Sequence, residues 1–312
     1  MKKTTINILL TIVIAGVIFS CDSDENKKGR FLLKGNEKME ENDPKGAMGF
    51  YKEALKMDST YADAHYNKAL AHLQLNQLTE SIQDLSLAIK YKPDYYDAVF
   101  QRGLSYLDNG EFYNAREDGK KLIQLDGQNW KSHFFEGLVE EKLKNFPKAL
   151  EAFGKASELN PKNSDLLVNQ ATILYYQKNF AAAQQALNEA MDVNPSEPNI
   201  HNLRSMIYFD EQNYEKALDA VDKAISLNKS QPYFYNNKGL YLLFLDRQEE
   251  GLELINQSIK MDAKNPFALR NKGIYYVMQG DKTSALQYLV ELGRDYPDMD
   301  LVEEYLKKAQ SL

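Results

Sequence analysis

Four histidines and one cysteine are the residues of this 312-residue chain best suited to metal binding or nucleophilic catalysis. The histidines form no His-Glu-x-x-His pattern and no tight triad with acidic residues, so they do not indicate a zinc site. A second candidate, Gly280-Asp281-Lys282-Thr283, has the residue types of a phosphate loop. It lacks the upstream glycine spacing and the preceding strand of such a loop. The sequence therefore predicts no catalytic activity, no metal site and no cofactor.

The cysteine lies at the end of an N-terminal apolar run. Lys2 and Lys3 supply positive charge, and residues 6–19 are mostly apolar. A membrane-spanning helix needs about 20 such residues, so this run is short for a span. A positive start followed by a short apolar run is typical of a secretory signal.

The residues before Cys21, Ile18-Phe19-Ser20, resemble a bacterial lipobox, with an aliphatic residue, a tolerant position and a small residue before the cysteine. Phe19 is bulkier than the usual occupant. The resemblance implies that residues 1–20 are a lipoprotein signal peptide and that Cys21 is lipidated on its sulfur, the lipid including palmitate-type chains. Two or three acyl chains would anchor the protein stably at a membrane.

The residues after the cysteine are acidic: Asp22-Ser23-Asp24-Glu25. Residues 21–27 are therefore interpreted as a solvated acidic tether. The same residues resemble the surface-export signals of Bacteroidetes-type lipoproteins, whereas Asp22 alone resembles an inner-membrane retention signal. The sequence favours the cell envelope, at the outer membrane or cell surface over the inner membrane.

Composition restricts the classes of partner. Hydrophobic residues make up 43% of the chain, charged residues 27%, and the formal net charge is −7. These values are typical of a folded protein, and the acidic balance argues against nucleic-acid binding. No Pro-rich or Gly/Ser-rich tract marks an interdomain linker.

The chain repeats with a constant period of 34 residues. Two positions of the period, twelve residues apart, hold Ala, Gly or Ser in all eight copies. The first set is Gly35, Ala69, Gly103, Gly137, Ala171, Ser205, Gly239 and Gly273, and the second is Ala47, Ser81, Ala115, Ala149, Ala183, Ala217, Gly251 and Ala285. Small residues at facing positions let two helices approach closely, and a fixed period of this length indicates a repeat architecture.

This pattern resembles the tetratricopeptide repeat, a helix pair with small residues at its eighth and twentieth positions and a closing proline. Pro93, Pro161, Pro195 and Pro297 match that proline, although other residues stand there in the remaining copies. The resemblance implies an all-α, right-handed superhelical solenoid. It assigns residues 28–297 to eight repeats and residues 298–312 to a C-terminal capping helix.

The resemblance also implies a concave groove lined by the first helix of each pair. Its sixth position holds a carboxamide in five copies, which can pair with both the N–H and the C=O of an extended peptide. The candidate groove residues are Asn67, Gln101, Asn169, Asn237 and Asn271, with Arg270 as a candidate carboxylate receptor. An equally simple interpretation is a row of solvated polar side chains.

Two functional hypotheses follow. The first is a membrane-anchored scaffold that binds a protein or an extended peptide in the groove, with no small-molecule substrate. The alternative is a structural subunit of a cell-envelope complex for secretion, assembly or motility, held through its convex face or its ends. An enzymatic function is not indicated.

Overall fold

Helices are the only regular elements in residues 24–312, the part of the chain that the computed structural model describes. The predicted signal peptide and Cys21 lie outside this range. No described helix is both long enough and apolar enough to cross a membrane. The all-helical class predicted from the repeat is confirmed.

Residues up to Asn109 form one unit and residues from Gly110 onward form another. The N-terminal unit contains α1 (Asp24–Glu40), α2 (Pro44–Met57), α3 (Ala62–Gln74), α4 (Leu78–Tyr91) and α5 (Tyr96–Asp108). The first four residues of α1 belong to the stretch interpreted from sequence as a tether. In this unit α1 packs on α2 and α3 packs on α4, and the second helix of each pair also contacts the next helix along the chain.

The C-terminal unit continues the same alternation. Its first six helices are α6 (Phe112–Leu125), α7 (Trp130–Lys142), α8 (Phe146–Leu159), α9 (Ser164–Tyr176), α10 (Phe180–Val193) and α11 (Pro198–Asp210). The remaining helices are α12 (Tyr214–Leu227), α13 (Pro232–Phe244), α14 (Gln248–Met261), α15 (Pro266–Met278), α16 (Lys282–Asp295) and α17 (Val302–Ser311). The odd-numbered helices before α17 are called A helices below. In this unit α9 contacts α11, α11 contacts α13, and α13 contacts α15. The even-numbered ones are called B helices.

The small residues of the repeat explain how the pairs pack. All sixteen are buried. A close backbone approach lies between Gly239 of α13 and Gly251 of α14, where a Cβ on Gly239 would stand 2.8 Å from the Gly251 carbonyl oxygen. The helices of a pair can therefore come nearly into backbone contact, and larger side chains such as Phe153 and Ile255 fill the space beside them.

Each turn between an A helix and its B helix contains one residue in the left-handed conformation. The eight residues, one in each turn, are Asn42, Asn76, Gly110, Lys144, Lys178, Gln212, Asp246 and Gly280. Gly and Asn adopt this conformation at low cost. Gly280 belongs to the stretch that resembles a phosphate loop, and Asp281 caps α16 by accepting from the Ser284 N–H. The structure thus places that stretch on a helix–helix turn.

The last helix covers the end of the stack. Val302, Tyr305 and Ala309 of α17 are buried, and Tyr305 and Ala309 lie in one cluster with residues of α13 to α16. The helix begins at Val302, so residues 298–301 of the predicted capping helix lie in the preceding turn instead. Leu301, at its N-cap, has φ 69°, in the left-handed region.

Candidate functional site

A cavity of about 1120 Å³ lies in the C-terminal unit. Its walls come mainly from five successive A helices, α7, α9, α11, α13 and α15, together with the turns that follow the first two. Its remaining side is formed by Asp295, the last residue of α16, and by residues 296–301, which connect α16 to α17. We call this space the central cavity. A second space of about 430 Å³ shares Tyr175, Tyr176 and Met206 with it.

Aromatic rings form much of the wall of the central cavity. Tyr176 of α9 and Phe267 of α15 are 46% and 43% exposed, so both offer an apolar surface to a ligand. Tyr176 stacks on Phe146 with ring centroids 5.8 Å apart, and Phe209 stacks on Tyr241 at 5.1 Å. Packing of this kind fixes the rings before a ligand arrives, which lowers the ordering entropy of binding.

Three cations of the cavity contact the segment Tyr296–Leu301. The Lys144 ammonium lies 2.6 Å from Asp298 Oδ2, and the Lys178 ammonium lies 3.0 Å from Asp210 Oδ2 and 3.8 Å from Asp300 Oδ2. Arg270 donates from Nη1 to the Asp300 carbonyl oxygen at 3.0 Å. The segment is thus held by cations from three different hairpins.

Burial is the main cause of the pKa shifts of Arg270, Tyr175 and Glu141 in the central cavity, whereas a hydrogen bond from Lys144 lowers the pKa of Asp298. Burial lowers the pKa of Arg270 to about 10, against the opposing effect of Asp300 and neighbouring tyrosines, so the guanidinium stays charged at neutral pH. Burial, reinforced by Asp210, raises the pKa of the Tyr175 hydroxyl. Burial also raises the pKa of Glu141. Because its pKa is raised, the Tyr175 hydroxyl stays neutral at neutral pH.

Two of the carboxamides proposed from sequence in the C-terminal unit are bonded to a neighbouring A helix, as is Asn67 in the N-terminal unit. Asn237 donates to Asn202 Oδ1 at 2.9 Å, and Asn271 donates to Asn236 Oδ1 at 2.7 Å. Asn237 is half-buried and still lines the central cavity. Asn271 is fully buried, and its own Oδ1 accepts from Arg270 Nε at 2.9 Å. The assignment of Asn271 to the groove surface is therefore corrected: its polar atoms join adjacent A helices instead.

The other proposed residues are spread over both units. Asn67, on α3 of the N-terminal unit, donates to Asn36 Oδ1 at 2.9 Å. Gln101 lies half-buried on α5 of the same unit. Asn169 of α9 donates to the Asp165 carbonyl of its own helix at 2.7 Å and lines the smaller cavity. Arg270 lines the central cavity but is only 6% exposed, so a ligand can reach it only from inside the cavity.

Three of the four histidines, His65, His72 and His133, lie close to polar groups of their own unit. In the N-terminal unit, His65 Nδ1 and His72 Nε2 lie 3.6 and 3.4 Å from the buried Asp84 carboxylate, which also accepts from Lys68 at 2.9 Å. His133 Nε2 lies 3.0 Å from the Gly127 carbonyl oxygen. In residues 24–312, no group of three or more His, Cys, Asp or Glu side chains is arranged to hold a metal ion.

Sequence reasoning missed Lys144, Lys178 and the aromatic Tyr176. The groove was expected along the first helix of each pair, at its sixth position, whereas these residues stand at positions thirteen and fifteen of the repeat. A signal was present in the two lysines. They occupy a turn position at which the other copies hold Asn, Gly, Gln or Asp, and lysine gains nothing there from backbone conformation.

Family models described as tetratricopeptide repeat match the chain at residues 38–105 and 142–207, at 100–164 and at 198–231. Together these matches run without a gap from residue 38 to residue 231, which is more than half of the chain. Curated proteins compared by sequence give no match.

Solved structures with the same fold include three that overlap most of the chain. A tetratricopeptide repeat protein from Parabacteroides merdae is 14% identical, with a TM-score of 0.64 over 80% of this chain and 98% of its own. Yeast Tom70 is 19% identical, with a TM-score of 0.63 over 94% of this chain and 65% of its own. The APC/C hetero-tetramer Cut9–Hcn1 supplies a chain 16% identical, with a TM-score of 0.64 over 95% of this chain and 57% of its own. At these identities the likeness concerns the fold.

Proposed function

Since this chain belongs to the tetratricopeptide repeat family, we propose that it is a lipid-anchored scaffold that binds an extended segment of a partner protein in the central cavity. Stacked helix pairs present long concave surfaces to such ligands. The proposal includes lipidation of Cys21 and a place at the outer membrane or cell surface, both of which rest on the sequence.

The main support for the binding proposal is the set of side chains that line the central cavity. Its half-exposed rings, Tyr176 and Phe267, stand beside the cations Lys144, Lys178 and Arg270. Aromatic residues and Arg are enriched at binding hot spots, and the mixture allows both apolar anchoring and charge recognition. The space of about 1120 Å³ is large enough for several residues of an extended chain.

A structural role through the B helices is the second candidate, because apolar residues recur in exposed positions at their C-terminal ends. Met57 and Tyr91 are 42% and 37% exposed in the N-terminal unit, and Val193 and Met261 are 39% and 40% exposed in the C-terminal unit. All four occupy the same position of the repeat.

Site-specific photocrosslinking distinguishes the two functions. A photoreactive residue replaces either Tyr176, in the central cavity, or Met261, at the end of α14, and the cells are irradiated with the protein in its membrane. We expect a discrete crosslinked partner from position 176 and none from position 261. Crosslinks from position 261 alone would refute the cavity as the binding surface and support the structural role.

The anchor is tested separately by Cys21→Ala. We expect this variant to lose incorporation of labelled palmitate and to leave the membrane fraction, while Ser23→Ala, a nearby matched change, retains both. Retention of label and membrane association by Cys21→Ala would refute the lipid anchor.

A further inference from the structure

The acidic segment at the end of α16 is seated in the central cavity like a ligand. Lys144 precedes its partner Asp298 by 154 residues, yet their side chains meet at 2.6 Å. Asp300 is approached by Lys178 at 3.8 Å through its carboxylate and by Arg270 at 3.0 Å through its carbonyl. Cations from distant parts of the unit therefore converge on one short stretch of chain.

We propose that these three cations form a binding site for an extended acidic peptide, and that the segment Tyr296–Leu301 is an internal competitor that such a peptide displaces. The inference rests on the proposed function, because it names the chemical class of segment that the central cavity takes. The ligand it specifies has two carboxylates at positions i and i+2, which lie on the same side of an extended chain.

The contacts of the internal segment are weak enough to exchange. The side chains of Lys144 and Asp298 are 67% and 78% exposed, and those of Lys178 and Asp300 are 56% and 73% exposed. Exposed ion pairs of this kind change an equilibrium by about fivefold or less each, because water and salt screen them. An acidic peptide can therefore compete for the same ammonium groups.

The backbone of the segment also favours release. Leu301 has φ 69°, a conformation in which a bulky side chain crowds the backbone. The surrounding contacts must offset this strain for as long as the segment stays docked. The adjoining α17 is anchored independently by buried Val302 and Tyr305, so movement can be confined to the turn.

The two lysines have no conformational reason to be where they are. Lys144 and Lys178 have φ 56° and 57°, and Asn or Gly would adopt these values at lower cost. In the turns of the other copies, the corresponding residues are Asn, Gly, Gln and Asp. Recognition of carboxylates in the central cavity accounts for lysine in these two turns.

Arg270 determines what a displacing ligand must supply. Its guanidinium is 6% exposed and donates to the Asp300 carbonyl. If the segment left and nothing replaced that oxygen, a buried charged donor would lose a partner, which is unfavourable. A peptide with a carboxylate or carbonyl oxygen at this point restores the bond, whereas an apolar ligand does not.

The test uses a fluorescent peptide with the segment's own sequence, Tyr-Pro-Asp-Met-Asp-Leu, and a control peptide with both Asp replaced by Asn. Binding is measured by fluorescence anisotropy to the full chain. In the variant Asp298→Asn/Asp300→Asn, we expect the acidic peptide to bind about threefold to tenfold more tightly than in the wild type, because the internal competitor is weakened. We expect the control peptide to bind at least tenfold more weakly than the acidic one.

Lysine variants in the same background test the site itself. Lys144→Asn/Lys178→Asn keeps turn residues suited to the left-handed conformation and should weaken acidic-peptide binding at least tenfold. Lys162→Asn/Lys229→Asn removes the same charge from exposed positions outside the cavity and should leave binding unchanged. Equal effects of the two lysine pairs, or equal binding of the two peptides, would overturn the proposal.

Hydrogen exchange supplies a second measurement that needs no peptide. The amides of residues 298–301 should exchange at least threefold faster in Asp298→Asn/Asp300→Asn than in the wild type, while those of α17 stay unchanged. Unaltered exchange in the segment would show that the aspartates do not hold it and would overturn its role as a competitor. If photocrosslinking at position 176 succeeds while the acidic peptide fails to bind, the proposed function stands and this inference falls.

Discussion

Because α13 and α14 approach closely at Gly239 and Gly251, we expect a larger residue at either position to destabilise the protein. A Cβ built on Gly239 would lie 2.8 Å from the Gly251 carbonyl oxygen and 2.7 Å from Ile255 Cγ1. A Cβ on Gly251 would lie 2.8 Å from the Gly239 carbonyl oxygen. Carbon–oxygen contacts in proteins are usually about 3.3 Å or longer, so the two helices would have to separate by about 0.5 Å. The two carbonyl oxygens are backbone atoms, so rotation of the Ile255 side chain would leave both carbon–oxygen contacts in place.

The expected effect of Gly239→Ala is the difference of two opposing terms. Overpacking a tight interior costs about 1–3 kcal/mol, and the better helix propensity of Ala returns about 0.5–1 kcal/mol. We expect the variant to be less stable than the wild type by about 1–2 kcal/mol. Gly154 of α8 is the matched control, because a Cβ there meets no atom within 4 Å. Gly154→Ala should therefore stabilise the protein by about 0.5–1 kcal/mol, opposite in sign.

Urea unfolding followed by far-ultraviolet circular dichroism measures both variants. Because repeat proteins can unfold in parts, hydrogen exchange of α13 and α14 amides should accompany it. The double variant Gly239→Ala/Gly251→Ala should cost less than the sum of the single changes, because one separation of the helices accommodates both methyl groups. A Gly239→Ala variant as stable as the wild type would refute the argument that these glycines are required by backbone contact.

Two further predictions concern charged groups. Glu140 is buried and accepts hydrogen bonds from Arg116 Nε at 2.8 Å and from Arg116 Nη2 at 2.7 Å. In urea unfolding, Arg116→Ala should therefore cost about 2–3 kcal/mol, which is below the range for fully buried pairs because Arg116 is 30% exposed. A loss of stability under about 0.5 kcal/mol would contradict this. The Lys28 ammonium lies 2.7 Å from the Asp58 carboxylate and lowers the pKa of Asp58 to about 2. The stabilisation that this carboxylate provides is therefore present above its ordinary pKa of about 3.9, and it is lost as the pH falls from there to about 2. The unfolding free energy of Lys28→Ala should therefore fall less steeply than that of the wild type across this interval, and identical slopes would exclude the pair as the cause.

Much of the fold could be predicted from local sequence alone. Sixteen Ala, Gly or Ser residues at a 34-residue period predict helix pairs in close contact, and all sixteen are buried. This succeeds because each helix pair in a stacked repeat contacts mainly its neighbours, so a local pattern is sufficient to specify it. The turn residues follow the same logic, since Gly110 and Gly280 stand where the backbone requires a positive φ.

The candidate site was predicted less completely. The sixth-position carboxamides were placed correctly on A helices, but Asn237 and Asn271 form hydrogen bonds to the preceding A helix. A sequence shows which polar groups face one side of a helix, and it does not show whether a neighbouring helix already satisfies them. Asn271 is fully buried, and its Nδ2 donates to Asn236 Oδ1 of α13 at 2.7 Å.

The period, the helix pairs and the small residues at their contacts can all be read from the order of the amino acids. The contact of Asp298 with Lys144 and the hydrogen bond from Arg270 to the Asp300 carbonyl are visible only in the folded protein. The physical reason is that each pair adds a small rotation to the stack. The sum over several pairs brings residues together that are 154 positions apart, and no single repeat encodes that sum.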